Sequence, residues 1–412
     1  MAFGPGLRER TKGLLVAFET PNYRLLFAGR VTSNMGRTMR VFARGWLVYE
    51  LTGSPLLMGI AVSALSWPML FMPLIGGIVA DRVDRKKLLL WTESLLVLLW
   101  ATVALLISLG LFQWWYFIIS AVTSGVIQSF GRTGHEAMIG SVVKRQDLGN
   151  AVALDSISQT WPRIAGPAVG AALIAFIGVD GLFWLTAGGQ LITVITLILI
   201  RWEPREQAAS KEGLGRNVVE AFTHIRGEPV IMALVTLGLF SSLFAGSHHF
   251  LMPIFADAIL GVGAQGLGVL MTASALGGAF GSIIVLAASN ARRGRGLLLA
   301  GMAVVKTGAL IIFAQTNFFP VSLVALFGLG ASQIMFMTLL TMTMQQLAPD
   351  HLRGRIMSLR VVTHGLSPIG VLIMGSLAEV RGAQDTVLIG GILYGVTALV
   401  IFALVPTLRR FQ

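Results

Sequence analysis

Long apolar runs separated by short polar turns repeat along the entire chain. Leu56–Val79 and Leu88–Leu111 are two of them, each long enough to cross a bilayer as a helix. Twelve such segments are predicted, at roughly 22–50, 55–80, 88–112, 114–138, 150–178, 181–202, 229–258, 265–289, 296–315, 318–347, 354–380 and 385–407. Turns of a few residues join most of them. The exception is about 203–228, where Glu203, Arg205, Glu206, Lys211, Glu212 and Arg216 concentrate charge. Its latter part, Val218–Ile225, reads either as a short amphipathic helix at the membrane surface or as solvated linker. The predicted organisation is therefore an N-terminal segment (1–21), a six-helix bundle (22–202), a linker (203–228), a second six-helix bundle (229–407) and a tail (408–412). The fold class is an all-α membrane protein of twelve transmembrane helices in two pseudo-symmetric bundles.

The halves echo each other weakly. Asp81-Arg82-Val83-Asp84-Arg85-Lys86 before a leucine run has a counterpart in Asn290-Ala291-Arg292-Arg293-Gly294-Arg295 before another, and Gly166-Pro167 is matched by Ser367-Pro368. Internal duplication of this kind accompanies transporter folds with a midplane site between two bundles.

Composition agrees with the pattern. Charged residues make up 12% of the chain and the hydrophobic set 55%, against about 25% and about 45–50% in soluble domains. The 48 glycines suit close helix packing in lipid. A net charge of +12 raises the question of nucleic acid, but about 22 of the 31 Lys and Arg residues fall in loops or termini on one side. Only Arg381 falls in a loop on the other. That asymmetry is the positive-inside bias; it excludes a nucleic-acid partner and, with an even number of spans, places both termini in the cytoplasm. The chain has no cysteine, hence no disulfide. No cleaved signal peptide is evident in its polar, basic beginning.

The most informative dozen residues are Gly76-Gly77-Ile78-Val79-Ala80-Asp81-Arg82-Val83-Asp84-Arg85-Lys86-Lys87, a charged turn between two spans. The pattern Gly-x-x-x-Asp-Arg-x-x-Arg-Lys-Lys resembles the signature loop of the major facilitator superfamily. Leu148–Leu154 leading into Arg163-Ile164-Ala165-Gly166-Pro167-Ala168-Val169-Gly170 looks like the fifth-helix stretch of its drug and siderophore exporters. Pro349–Ser358 resembles the loop before their eleventh helix, and Leu47–Ser54 the end of their first. The likeness covers nearly the whole chain and is closest to the branch of macrolide-efflux and enterobactin-exporter proteins.

That resemblance implies a gating loop of Gly77, Asp81, Arg82, Arg85, Lys86 and Glu136. Asp81 would cap the helix starting near Gly354, where free N–H groups favour an anion, and Arg85 would pair with Glu136. The alternative is that these basic residues only enforce topology. Arg163, Gly166, Pro167 and Gly170 resemble the antiporter motif and form a candidate hinge, since proline removes a backbone bond and glycine permits close crossing; an ordinary packed kink is the other reading. The chain departs from the branch at Arg37, where relatives carry an acid, at Asp155, where they carry asparagine, and over Phe130–His135.

An ionisable residue inside a span costs roughly 2.5–3.5 kcal/mol at a helix centre and is a functional candidate by default. The first span carries Arg30, Asn34, Arg37, Arg40 and Arg44, the arginines falling within an arc of about 80°. Such a stripe must face water, an acid or a ligand, although Arg30 and Arg44 can also snorkel to the interfaces. The resemblance puts the first, fourth, seventh and tenth spans around a central cavity. The predicted substrate cavity is Arg30, Asn34, Arg37, Arg40, Gln128, His248, Met335 and Thr338. Arginine forks suit carboxylate, phosphate or catecholate groups, and the methionines tolerate bulky apolar ligands.

Asp155 and Glu93 are the candidate proton carriers; a static Asp155–arginine pair competes with that reading. His248, His249 and His364 either titrate or are simply hydrogen-bonded. Lys306, mid-span in segment nine, has no assigned role. No metal-ligating cluster, nucleophile–base pair or phosphate loop is present, which argues against an enzyme, a cofactor and direct ATP drive. The sequence thus predicts a monomeric secondary transporter, a proton-coupled exporter of amphipathic or anionic small molecules in the cell membrane. An uncoupled facilitator, such as an anion uniporter or lysophospholipid flippase, and a non-transporting sensor or assembly partner are the alternatives.

Overall fold

The computed structural model describes residues 16–71, 84–201, 229–246, 248–288, 295–347, 363 and 365–409. Helix α1 spans Pro21–Thr52, α2 Pro55–Ser63, α3 Ser66–Phe71, α4 Arg85–Ser108, α5 Trp114–Val142 and α6 Leu148–Leu199. After the linker come α7 (Pro229–Phe240), α8 (His248–Ile254), α9 (Gly263–Ala288), α10 (Arg295–Gln315), α11 (Phe319–Leu347), α12 (Ser367–Arg381) and α13 (Ala383–Leu404). No strand occurs among the described residues. Among the described residues seven stretches are long and apolar enough to cross a membrane on those grounds alone; α1 is not among them, because its arginines spoil every window. The predicted linker, and His364 and Arg360 beyond it, lie outside the described residues.

Segments five and six are the two helices of α6, which together hold 52 residues, against about 20 that a hydrocarbon core of about 30 Å needs. The element is broken at Gly178, whose φ of 73° lies in the left-handed region that glycine enters without penalty. Packing against α1 shows that the chain reverses there. Asn34 meets Ser158 and Gly170 approaches Met39 and Phe42, so the first piece runs parallel to α1. Gly29 lies on Thr193 and Thr196, and Gly36 on Thr186, so the second piece runs antiparallel.

By packing, the chain divides into two compact units: Met1–Ala43 with Trp67–Ser210, and Arg44–Ser66 with Lys211–Gln412. In the first unit, one core cluster gathers Tyr23 and Leu26 of α1, Leu89 of α4, Met138 and Val142 of α5, and Leu154 and Leu197 of α6. The Tyr23 hydroxyl donates to the Ala151 carbonyl at 2.7 Å, which satisfies a polar atom within that cluster.

The second unit is built on close crossings of small residues. A Cβ on Gly281 of α9 would stand 2.5 Å from the Ala331 carbonyl oxygen of α11, so these backbones touch only because the side chain is absent. The run Gly277–Gly281 is thus packing, as its place inside an apolar segment implies. Arg44–Ser66 joins this unit through α2, which lies along α12. Gly59 and Gly375 bring the two backbones together, and the Glu379 carboxylate accepts from the Ser54 hydroxyl at 2.7 Å and from the Leu56 N–H at 3.1 Å. Ser54 in turn caps α2 by accepting from the Leu57 N–H at 3.2 Å. Between α7 and α8 the helix loosens into a π turn, Ser241–Ala245, and a second follows at Phe255–Ile259.

Candidate functional site

Of the α1 stripe, Arg30, Asn34, Arg37 and Arg40 belong to the first unit and are held by two neighbouring sets of groups. Toward the first piece of α6, Arg30 Nε donates to Asp155 Oδ1 at 3.2 Å. Asp155 Oδ1 also stands 3.3 Å from the Ser158 hydroxyl, whose shorter bond goes to the Asp155 carbonyl at 2.7 Å, and Oδ2 accepts from Gln159 Nε2 at 2.9 Å. One turn on, Asn34 Nδ2 donates to the Ser158 carbonyl at 3.1 Å, and Arg37 donates to Asn34 Oδ1 at 2.9 Å. Asn34 is buried and Arg37 is exposed.

The other set lies in the interior of the unit. Arg40, 4% exposed, sits 4.5 Å from the centre of the Trp100 ring and donates to the Thr186 carbonyl at 3.4 Å and to Gln190 Oε1 at 3.5 Å. Gln190 spans to Glu93, donating from Nε2 to Oε2, and also to Ser33 Oγ at 3.5 Å. The second oxygen of Glu93 meets His135 Nε2 at 3.0 Å. Glu93 and His135 are 5% and 7% exposed, so a carboxylate and an imidazole share a hydrogen bond away from solvent. Four elements contribute: α1 (Arg40), α4 (Glu93, Trp100), α5 (His135) and α6 (Gln190). A carboxylate hydrogen-bonded to an imidazole can have the proton between them on either partner. Opposite it, His135 Nδ1 is buried with no hydrogen-bond partner among the described residues.

The remaining predicted cavity residues are distributed. Gln128 is half-buried on α5. His248, Met335 and Thr338 belong to the second unit. His248 is buried, bonds the Ala245 carbonyl through Nδ1 at 2.8 Å and lies against His249, the rings tilted by 34° with centres 4.1 Å apart. Met335 is buried on α11, and the Thr338 hydroxyl returns to the Ile334 carbonyl at 2.8 Å.

Of the predicted gate, Gly77, Asp81 and Arg82 lie outside the described residues, as do the side chains of Arg85 and Glu136. Lys86 is described: its Nζ donates to the carbonyls of Ile198 and Ile200, at 3.1 and 2.7 Å, capping the C-terminus of α6 where a cation is favoured. In the candidate hinge Arg163 is exposed, whereas Gly166, Pro167 and Gly170 are buried. Gly166 lies against Thr38, and a Cβ on Gly170 would meet Phe42 and Met39 at 3.4 and 3.5 Å. The helix continues through Pro167.

Sequence reasoning missed His135, Gln190 and Trp100. The one signal was indirect: His135 closes the stretch Phe130–His135, which departs from the branch pattern. Among the described residues no group of His, Asp or Glu stands close enough together to hold a metal ion.

A family described as "Transmembrane secretion effector" matches residues 13–410. The chain belongs to this family, a branch of the major facilitator superfamily. Similar curated relatives include the multidrug efflux pump Tap of Mycolicibacterium fortuitum, 26% identical over 403 residues and covering 94% of this chain and 96% of that one. The enterobactin exporter EntS of Citrobacter koseri is 26% identical over 408 residues, covering 95% and 94%. Among solved structures, the nucleoside transporter NupG superposes with a TM-score of 0.72 at 17% identity, covering 93% of this chain and 98% of that one. A bacterial homologue of the human lysosomal transporter Spinster gives 0.73 at 12%, covering 95% and 96%. These structural likenesses carry the fold alone. This member of the secretion-effector family is thus a multi-pass membrane protein of the twelve-helix major facilitator fold, and its family and relatives are transporters rather than enzymes.

Proposed function

We propose that this protein is a proton-coupled exporter that moves amphipathic solutes with anionic or strongly polar acceptor groups by alternating access. The observation that carries the coupling is Glu93, a buried carboxylate shared between His135 and Gln190, with Arg40 at the far side of Gln190. Taking up a proton neutralises Glu93 or charges His135. Either event changes what Gln190 and Arg40 are bonded to, and so reaches α1, the helix that also carries Arg37. Arg37 serves as the solute contact, since its planar fork suits carboxylate, phosphate or catecholate oxygens and its side chain is exposed. Export as the direction is supported by the efflux pump and the siderophore exporter among the relatives. Asp155, engaged by Arg30, Ser158 and Gln159, serves better as an anchor of α1 than as the proton carrier.

The test is solute movement in proteoliposomes under an imposed pH gradient, with a panel of anionic drugs, cationic drugs and siderophores. Wild type is expected to accumulate at least one of them against its gradient. Glu93→Gln should retain downhill exchange and lose the pH-driven component, while Arg37→Ala should lose transport at normal protein level. Wild-type transport indifferent to the pH gradient, or full pH-driven accumulation by Glu93→Gln, would refute the coupling.

A further inference from the structure

Lys306 stands in the middle of α10 with none of its surface exposed. Its Nζ donates to the Ser241 hydroxyl at 2.6 Å, at the first position of the π turn after α7, and to Gln333 Oε1 on α11. The same nitrogen lies 4.6 Å from the centre of the Tyr394 ring on α13 and 5.9 Å from that of Phe336 on α11. Three elements therefore converge on the amine of a fourth. None of them brings a carboxylate: the described acids of this unit, Glu50, Asp257, Glu379 and Asp385, are all exposed, and no ion pair involves Lys306 among the described residues.

The titratable groups that do face it are few. Helices α7 and α11 carry none, and the short helix Pro406–Arg409 contributes no described titratable side chain. Tyr394 lies under the amine, and His248 on α8 lies within electrostatic reach. Tyr394 Oη and His248 Nε2 are both buried without a hydrogen-bond partner among the described residues. The polar inventory fits two states of the lysine. An ammonium uses two N–H groups on Ser241 and Gln333 and directs its third toward the Tyr394 ring face. A neutral amine keeps its donated bond to Gln333 Oε1, while its lone pair can turn to accept from the Ser241 hydroxyl. An ammonium shut away from water with no counter-charge is an expensive way to fill space, and methionine has nearly the same shape.

We propose that Lys306 is a proton-exchanging group of the second unit, passing between ammonium and amine during the transport cycle. The proton comes from water and returns to water, and nothing is oxidised or reduced. The proposal rests on the proton-coupled reading above and adds a second site to it, one that uses an amine where the first unit uses a carboxylate and an imidazole.

The experiment uses the full chain with 15N-labelled lysine in lipid nanodiscs, following the Nζ resonances with pH in the absence of solute. One resonance, missing from Lys306→Met, is expected to switch between ammonium and amine over the pH range in which transport is driven. In proteoliposomes, each proton lost from the stoichiometry lowers the sustained solute gradient about tenfold per pH unit, and Lys306→Met should show that drop. A Lys306 resonance fixed in either form, or an undiminished gradient in Lys306→Met, overturns the proposal while leaving the Glu93 test standing. Wild type that ignores the pH gradient instead defeats the broader coupling reading, a result the nanodisc titration does not depend on. If the methionine variant does not fold, Lys306→Arg removes the same resonance and keeps the charge.

Discussion

Asp155 and Glu93 are both acids inside the first unit, and their neighbours differ. Asp155 is tied to a permanent cation and two neutral donors, so its removal leaves Arg30 without its acid in a site largely closed to water. Asp155→Ala should destabilise the first unit by about 1–3 kcal/mol, read as earlier thermal unfolding of the solubilised protein. Adding Arg30→Ala should recover part of that loss, because the two side chains are coupled. Wild-type thermal stability in Asp155→Ala would mean that the pair contributes nothing measurable. The Arg30–Asp155 pair was one of two readings open from the sequence, since an acid and an arginine stripe in neighbouring segments invite each other. The Glu93–His135 contact was not legible. Those residues lie 42 positions apart, on helices whose rotation the local apolar pattern does not fix.

At the scale of elements, helix ends and crossings decide what holds. Glu379 and Ser54 together serve the first N–H groups of α2, a position where losing a cap costs about 1 kcal/mol. Glu379→Ala should loosen α2, with faster hydrogen exchange at Leu56 and Leu57 than in wild type; unchanged exchange there would show that Ser54 suffices alone. The twelve segments were legible because bilayer thickness fixes how long an apolar run must be, and the turn at Gly178 falls at the predicted junction of segments five and six. The packing of Arg44–Ser66 with the second unit was not. It depends on Gly59 finding Gly375, and a glycine announces that something comes close without saying what. The π turn at Ser241–Ala245 left no mark in the pattern either, although it presents Ser241 to Lys306.

Over the whole molecule, charge is sorted twice. Loops take most of the basic residues, while a handful inside the spans are each met by specific polar or aromatic partners: Arg30 by Asp155, Arg40 by Trp100 and Gln190, Lys306 by Ser241 and Gln333. These partners sit on helices made later in the chain or distant along it. The consequence is sharpest for α1, made before the helices that shelter its arginines and too arginine-rich to rank among the self-sufficient spans. Trp100, Asp155, Thr186 and Gln190, which shelter it, are synthesised 50 or more residues afterwards. A nascent chain halted just after α2 should be stripped from membranes by alkaline carbonate, and one halted after α6 should resist. During biogenesis α1 is a guest awaiting its hosts.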